Sequence, residues 1–326
     1  MPLSSPQFIR RMGSSNIRNF DWRHVALLAR VRDRGLCPDS QLAFTRGAHA
    51  LQHALLDPLI PGNSGVTLVS RSGELDAVAQ FAKRGDRNNA RLTFIAPADV
   101  LELDSGLELV ESLAFAAGEA GAHNLVADVD EDSPAFERLR QAGFAIYARQ
   151  RIWSLDPQRE APVGSEMGAW RLEKGTDSLA AQSLYLNIVP ALVQQVEPPP
   201  TGAGRNLVHF RDGELLGYLD IERGSLGTWV QPFFHPAVED FYTLLAGFLS
   251  EARADRPIYA CVRSYQSWMS GPLERLWFEP AADQAVMVKR LTAGVRKPST
   301  SPLPTVEGSY PEPTAPIAHI EDSAVL

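Results

Sequence analysis

The sequence predicts an α/β (α+β) protein: two domains in tandem, each a mixed, mostly antiparallel sheet flanked by helices, with a disordered C-terminal tail. Three observations carry this expectation. Short apolar stretches with strand character are separated by Gly, Asn and Asp turns. The same order of elements runs twice along the chain. From Thr292 onward Pro, Ser and Thr dominate without periodicity, a composition that buries too little apolar surface to fold.

Taken in order, residues 1–16 read as a flexible lead-in and 17–155 as the first domain. Residues 21–56 carry Ala, Leu and Arg at helical spacing, interrupted at 35–38. Strands are expected at 66–70, 75–83 and 91–96, a helix at 105–120, a strand at 124–129, a short helix at 133–141 and a strand at 144–155. Residues 156–165 are Pro-rich and polar and read as a linker. In the second domain, 166–291, a strand at 168–172 leads to a helix at 177–195. A meander follows at 206–210, 215–223 and 226–233. A helix at 239–253, a strand at 258–262, a helix at 270–276 and a strand at 284–291 close it. Residues 292–326 form the tail. Residues 123–144 and 257–278 can be laid together without a gap, each reading strand, polar loop, short helix and then Phe. Two separate sheets, meeting near the linker, are the expected consequence.

Composition narrows the function. Of the 326 residues, 44% are hydrophobic and 21% charged, which suits a globular protein. The formal net charge of −8 gives no general attraction for nucleic acid. No apolar run is long enough for a membrane span and the start shows no secretory signal, so a cytoplasmic protein without membrane partners is expected. The two cysteines, Cys37 and Cys261, form neither a metal-ligand spacing nor a disulfide framework.

The order helix, meander, helix, strand, helix, strand resembles the GNAT family of acyl-CoA-dependent N-acyltransferases, over residues 17–155 and again over 168–291. Ile95-Ala96-Pro97 and Val230-Gln231-Pro232 look like the family's strand-ending Val-x-Pro. The resemblance implies acetyl-CoA or CoA as cofactor and a small-molecule or peptide amine as acceptor. It also implies a cleft between the splayed fourth and fifth strands that admits the pantetheine arm. A glycine-rich loop would then present backbone N–H groups to the pyrophosphate at a helix N-terminus. Both loops depart from that pattern. After Pro97 only Gly106 matches, and after Pro232 no glycine follows, while Pro236 removes a donor. Glu102, Asp104, Glu239 and Asp240 stand where the pyrophosphate would sit; they read equally as helix caps and dipole partners. At the position of the family's usual tyrosine acid the two domains have Leu139 and Leu273, and neither Tyr147 nor Tyr265 is equivalent to it.

The second domain offers more chemistry than the first. Asp220 and Glu222, two apart on one strand, face the same side and could act as base or simply be solvated. His235 could titrate near neutral pH, or serve only its loop. Tyr265 is a substitute acid or a packing residue. Arg263 could receive an anion, and Tyr265 and Trp268 could stack on a planar group. Trp229 and Gln231 line the adjacent strand. The candidate cofactor residues are therefore Trp229, Gln231, Arg263 and Trp268, with an aromatic plug as the alternative. In the first domain the matching loop, 128–133, is acidic and suits a cation or caps the next helix. Two functions follow: a GNAT-like N-acyltransferase, or a catalytically inactive GNAT-fold module that binds a ligand or a protein.

Overall fold

The computed structural model describes residues 16–56, 63–71, 75–84, 88–159, 169–200, 205–238, 240–252 and 255–291. Most of the lead-in, most of the linker, Glu239 and the tail expected from the sequence lie outside these residues.

The first half contains β1 (Ile17–Asn19), α1 (Val25–Val31), α2 (Ser40–Thr45) and α3 (Ala50–Leu56). The antiparallel strands β2 (Asn63–Arg71), β3 (Asp76–Arg84) and β4 (Asn89–Ala96) follow. Then come α4 (Asp104–Glu119), β5 (Asn124–Asp130), α5 (Pro134–Gln141) and β6 (Ala145–Leu155). The second half repeats the order with β7 (Arg171–Leu172), α6 (Ser178–Ile188), α7 (Ala191–Gln194), β8 (Leu207–Arg211), β9 (Glu214–Arg223) and β10 (Thr228–Phe234). It ends with α8 (Phe241–Glu251), β11 (Ile258–Arg263), α9 (Ser270–Arg275) and β12 (Glu279–Arg290). The helix expected over 177–195 is broken, because Val189 is held extended before Pro190, which cannot continue it.

The expectation of two separate sheets is overturned. Among the described residues all twelve strands form one sheet, in the order β1-β2-β3-β4-β5-β12-β6-β11-β10-β9-β8-β7. The two halves exchange their last strands. β12 pairs antiparallel with β5, and β6 pairs antiparallel with β11, while β6 and β12 pair with each other at the centre. Replacing each strand by its counterpart and reading from the opposite edge returns the same order, so the repeat is a pseudo-two-fold. Gln150 and Gln284 are direct partners at its centre, and the Gln150 side chain donates to Gln284 Oε1 at 2.9 Å. Asp130 lies opposite Gln284 and Arg263 opposite Gln150, which makes Asp130 and Arg263 counterparts. The gapless match of the sequence is thus one residue out of step on these strands.

Alternation along the strands builds a core on each face. Ala77, Ala79 and Phe81 of β3 pack under α4 and α5 with Leu109, Leu113 and Leu139, while Val78 faces α1 and α3 with Leu28 and Phe94. In the second half Leu219, Ile221, Val230 and Phe234 pack under α8 and α9, and Tyr218 and Phe233 face α6. Buried Trp153 on the exchanged strand β6 belongs to the second half's core. The exchange therefore merges the hydrophobic interiors as well as the hydrogen bonds.

Candidate functional site

A cavity of about 160 Å3 lies on the α2 and α6 side of the sheet, where elements of both halves meet. Its second-half wall is Asp220 and Glu222 on β9 with Gln231 and Phe233 on β10, joined by Tyr185 of α6 and Arg263 of β11. The first half contributes Arg91 of β4, Asp39, and Thr45 and Arg46 at the end of α2; Glu197 and Pro198 to Pro200 form a rim after α7. Three ion clusters surround it. The buried side chain of Arg263 donates through Nη2 to Glu197, which also accepts from Tyr147 Oη at 2.6 Å. Arg91 bridges Asp128, at 2.7 Å, and Asp39, at 3.2 Å. Glu222 is held between Arg46 and Arg205, the latter at 2.7 Å. Burial works against the charged form of Arg263, but Glu197 and the other acidic groups around it together outweigh burial, and the guanidinium stays firmly charged. Burial first, and the Glu197 carboxylate second, push the Tyr147 hydroxyl well above the usual tyrosine range.

The parallel strands on either side of the centre separate after a short pairing. β4 pairs with β5 over Asn89–Arg91, and β10 with β11 over Thr228–Val230. In the first half the chain's own segment from Leu36 to Ser40 fills the gap. Leu36 and Ile95 exchange backbone hydrogen bonds of 2.8 and 3.0 Å, and the Asp128 N–H donates to Pro38 O at 2.9 Å. The Ser40 N–H donates to Asp128 Oδ2 at 3.1 Å. Gly35 admits the segment, because any side chain there would run into the Phe94 ring. In the second half the buried side chain of Gln266 bridges the gap, donating through Nε2 to Pro232 O at 2.9 Å.

No family model and no curated protein matches this sequence. Solved structures do match. A GCN5-related N-acetyltransferase from Sphaerobacter thermophilus superposes with a TM-score of 0.56 at 14% identity, covering 84% of this chain and 95% of its own. This chain carries the GNAT fold in tandem. A tandem GNAT protein from the clavulanic acid biosynthesis pathway is also similar, at a TM-score of 0.48 and 14% identity, over 84% of this chain and 98% of that one. At such identity the likeness is one of fold.

The residues of this GNAT fold do not fit acetyl-CoA. In the first half the gap that would take a pantetheine arm is closed by the hydrogen-bonded segment Leu36 to Ser40. In the second half Pro232 offers no N–H at the gap and its carbonyl is already engaged by Gln266. Neither helix N-terminus is an open phosphate cradle. Before α4, a turn of 3-10 helix (Ala98–Glu102) packs so tightly that a methyl group on Gly106 would run into the Val100 carbonyl. The one matching glycine thus serves packing. Before α8, Asp240 accepts from the Thr243 N–H at 3.0 Å and from its hydroxyl at 2.6 Å, which lowers the Asp240 pKa. Leu139 and Leu273, at the tyrosine position, are fully buried in the two cores.

Of the residues singled out in the sequence, Asp220, Glu222, Gln231 and Arg263 come together in the central cavity. Glu222 is no solvated strand residue: it is buried between two arginines. Trp229 is buried instead against Phe44, Ile152 and Cys261, with ring centroids 6.3 Å apart for Phe44. Tyr265 packs on the α6 side, whereas Trp268 sits on the α8 side, edge-on to Phe241 at 5.3 Å. Arg263, Tyr265 and Trp268 therefore do not line one pocket. His235 lies in the loop after β10, its ring accepting from the Ala237 N–H at 3.1 Å. Burial pushes the thiols of Cys37 and Cys261 up to about 12, so Cys261 behaves as a small apolar residue. The acidic loop of the first half divides: Asp128 turns inward to Arg91, and Glu131 pairs outward with Arg149. Among the described residues no group of three or more His, Cys, Asp or Glu is placed to hold a metal ion, and no helix is long and apolar enough to cross a membrane.

Sequence reasoning missed Arg91, Arg46 and Glu197. A lone arginine inside the apolar strand around Leu92 to Ile95 and a glutamate directly before three prolines were the available signals.

Proposed function

We propose that this protein uses a tandem GNAT fold to bind a small polar ligand in the central cavity, and does not transfer acyl groups from acetyl-CoA. The observation that carries this is the closure of the first half's cleft by Leu36 to Ser40. Acyl transfer needs a bound thioester, a base and an acid to return a proton to the leaving thiolate. Here the thioester has no open channel, and the acid position is a buried leucine in each half. The cavity, by contrast, keeps Asp220, Gln231 and three arginines at its walls. Its supporting ion clusters hold those side chains in fixed positions, as a binding site requires.

Titration calorimetry of the full chain with acetyl-CoA and with CoA tests this. No saturable heat is expected up to millimolar ligand, and no thermal stabilisation, whereas a ligand at 100 times its dissociation constant would add about 2.7 kcal/mol. Saturable binding accompanied by release of free CoA in the presence of an amine would overturn it.

A further inference from the structure

We propose that the ligand of the central cavity is a small carboxylic acid, bound as its anion with the carboxylate on Arg263. This rests on the cavity being the binding site. The first observation is which buried groups at its walls lack a partner. The Arg263 side chain is 7% exposed and spends only Nη2 on Glu197, while Nε and Nη1 are buried without a hydrogen bond. Arg91 Nε is also buried without one, although it lies 3.2 Å from Asp39 Oδ2. Among the described residues lining the cavity, every buried side-chain nitrogen or oxygen in this state belongs to an arginine. A guanidinium only donates, so what the walls lack is acceptors. Buried donors left unmet are costly, and a ligand that meets them recovers that cost.

The second observation is that the carboxylates of the walls are already engaged. Asp39 accepts from the Leu42 N–H and faces Arg91, and Glu222 is held between Arg46 and Arg205. Asp220 has a partner of its own. An amine would therefore compete for carboxylates in use and leave the arginine nitrogens unmet. Glu197 does not fully match Arg263 either, because its Oε1 accepts from both Arg263 and Tyr147. A charged acceptor bonds a guanidinium about twice as strongly as a neutral one, which favours a carboxylate over an amide. A phosphate dianion would bring a second negative charge beside Glu197 and Glu222, which favours a monoanion. Size agrees. The cavity of about 160 Å3 compares with the ~150 Å3 cavity known to hold one benzene. That admits a compact acid and excludes a nucleotide or a peptide.

The test uses the full chain with sodium acetate, propionate, butyrate, lactate, pyruvate and benzoate, each beside its primary amide, and with sodium phosphate, all at constant ionic strength. Titration calorimetry reads affinity. The buried arginine Nε–H signals of the nitrogen-15-labelled protein report whether the ligand sits on them. At least one acid is expected to bind saturably and to move those signals. Its amide, and phosphate, are each expected to bind at least about tenfold more weakly. Arg263→Lys keeps a cation beside Glu197 but loses the guanidinium fork, and is expected to weaken the acid by a similar factor. Should that variant fail to fold, the comparison of acid with amide and the signal shift still decide, because both use the unchanged protein. Equal binding of the amide would make this a site for a neutral carbonyl, and equal binding of phosphate a general anion site; either overturns the proposal. So would binding that leaves the Nε–H signals in place, or no binding of any acid. Acetyl-CoA turnover, measured separately, would instead sink the function proposed above, so the two failures are distinguishable.

Discussion

Residues 1–159 produced alone will not form a stable monomer, although they contain every element of one complete repeat. In the full chain β5 is paired along its length with β12, and β6 lies between β12 and β11. The fragment loses both partners. Ala285, Val286, Met287 and Val288 of β12 are all buried. Removing Val286, Met287 and Val288 from the core forfeits roughly 1.5–3 kcal/mol each. The sum approaches the whole stability of an ordinary domain, about 5–15 kcal/mol. The fragment is therefore expected to be unfolded, or to dimerise by pairing its own open edges. Production together with residues 160–326 is expected to restore a one-to-one complex with the circular dichroism of the intact chain. A monomeric fragment with a cooperative melting transition would show that strand exchange is dispensable.

Arg263→Ala is expected to destabilise the protein by about 3–5 kcal/mol, the range for breaking a buried ion pair by removing one partner. The sequence suggested that Arg263 is an anion-receiving residue. The structure adds a framework role, because Arg263 is buried and holds Glu197, which in turn fixes Tyr147. Without the guanidinium, the Glu197 carboxylate loses its ion-pair partner in a largely enclosed site, its side chain 19% exposed. The double change Arg263→Met with Glu197→Gln removes both charges and is expected to recover most of the loss. Urea denaturation of the three proteins measures this. If Arg263→Ala alone is neutral, the ion pair is not part of the folded framework.

The elements of this fold were legible because each is a local matter. Alternation in the stretch around Val78 and Phe81 and the helical spacing of Leu109, Val110 and Leu113 mark strand and helix without reference to the rest of the chain. The repeat was legible for the same reason. The strand exchange was not: β6 and β12 are apolar in the same way whichever half they complete, and only the three-dimensional order tells them apart. The site was half legible. Asp220 and Glu222 share a face because strand residues two apart always do. Trp268 misled because the 3-10 segment after β11 is kinked at Gln266, and Tyr265 packs on the α6 side while Trp268 packs against Phe241 of α8. The closure of the first cleft was hidden altogether. Its contacts are mostly backbone hydrogen bonds from Leu36 and Pro38, and a backbone bond leaves no mark on side-chain patterning.

The central claim is that the cleft of the first half is closed by the chain itself, and amide hydrogen exchange reads that directly. The N–H groups of Leu36, Ile95 and Asp128 all donate across the gap. They are expected to exchange as slowly as the interior amides of β4 and β5, and saturating acetyl-CoA is expected to leave their rates unchanged. Fast exchange at these three positions, or loss of their protection on adding acetyl-CoA, would mean that Leu36 to Ser40 leaves the cleft to admit the cofactor, and would contradict the account.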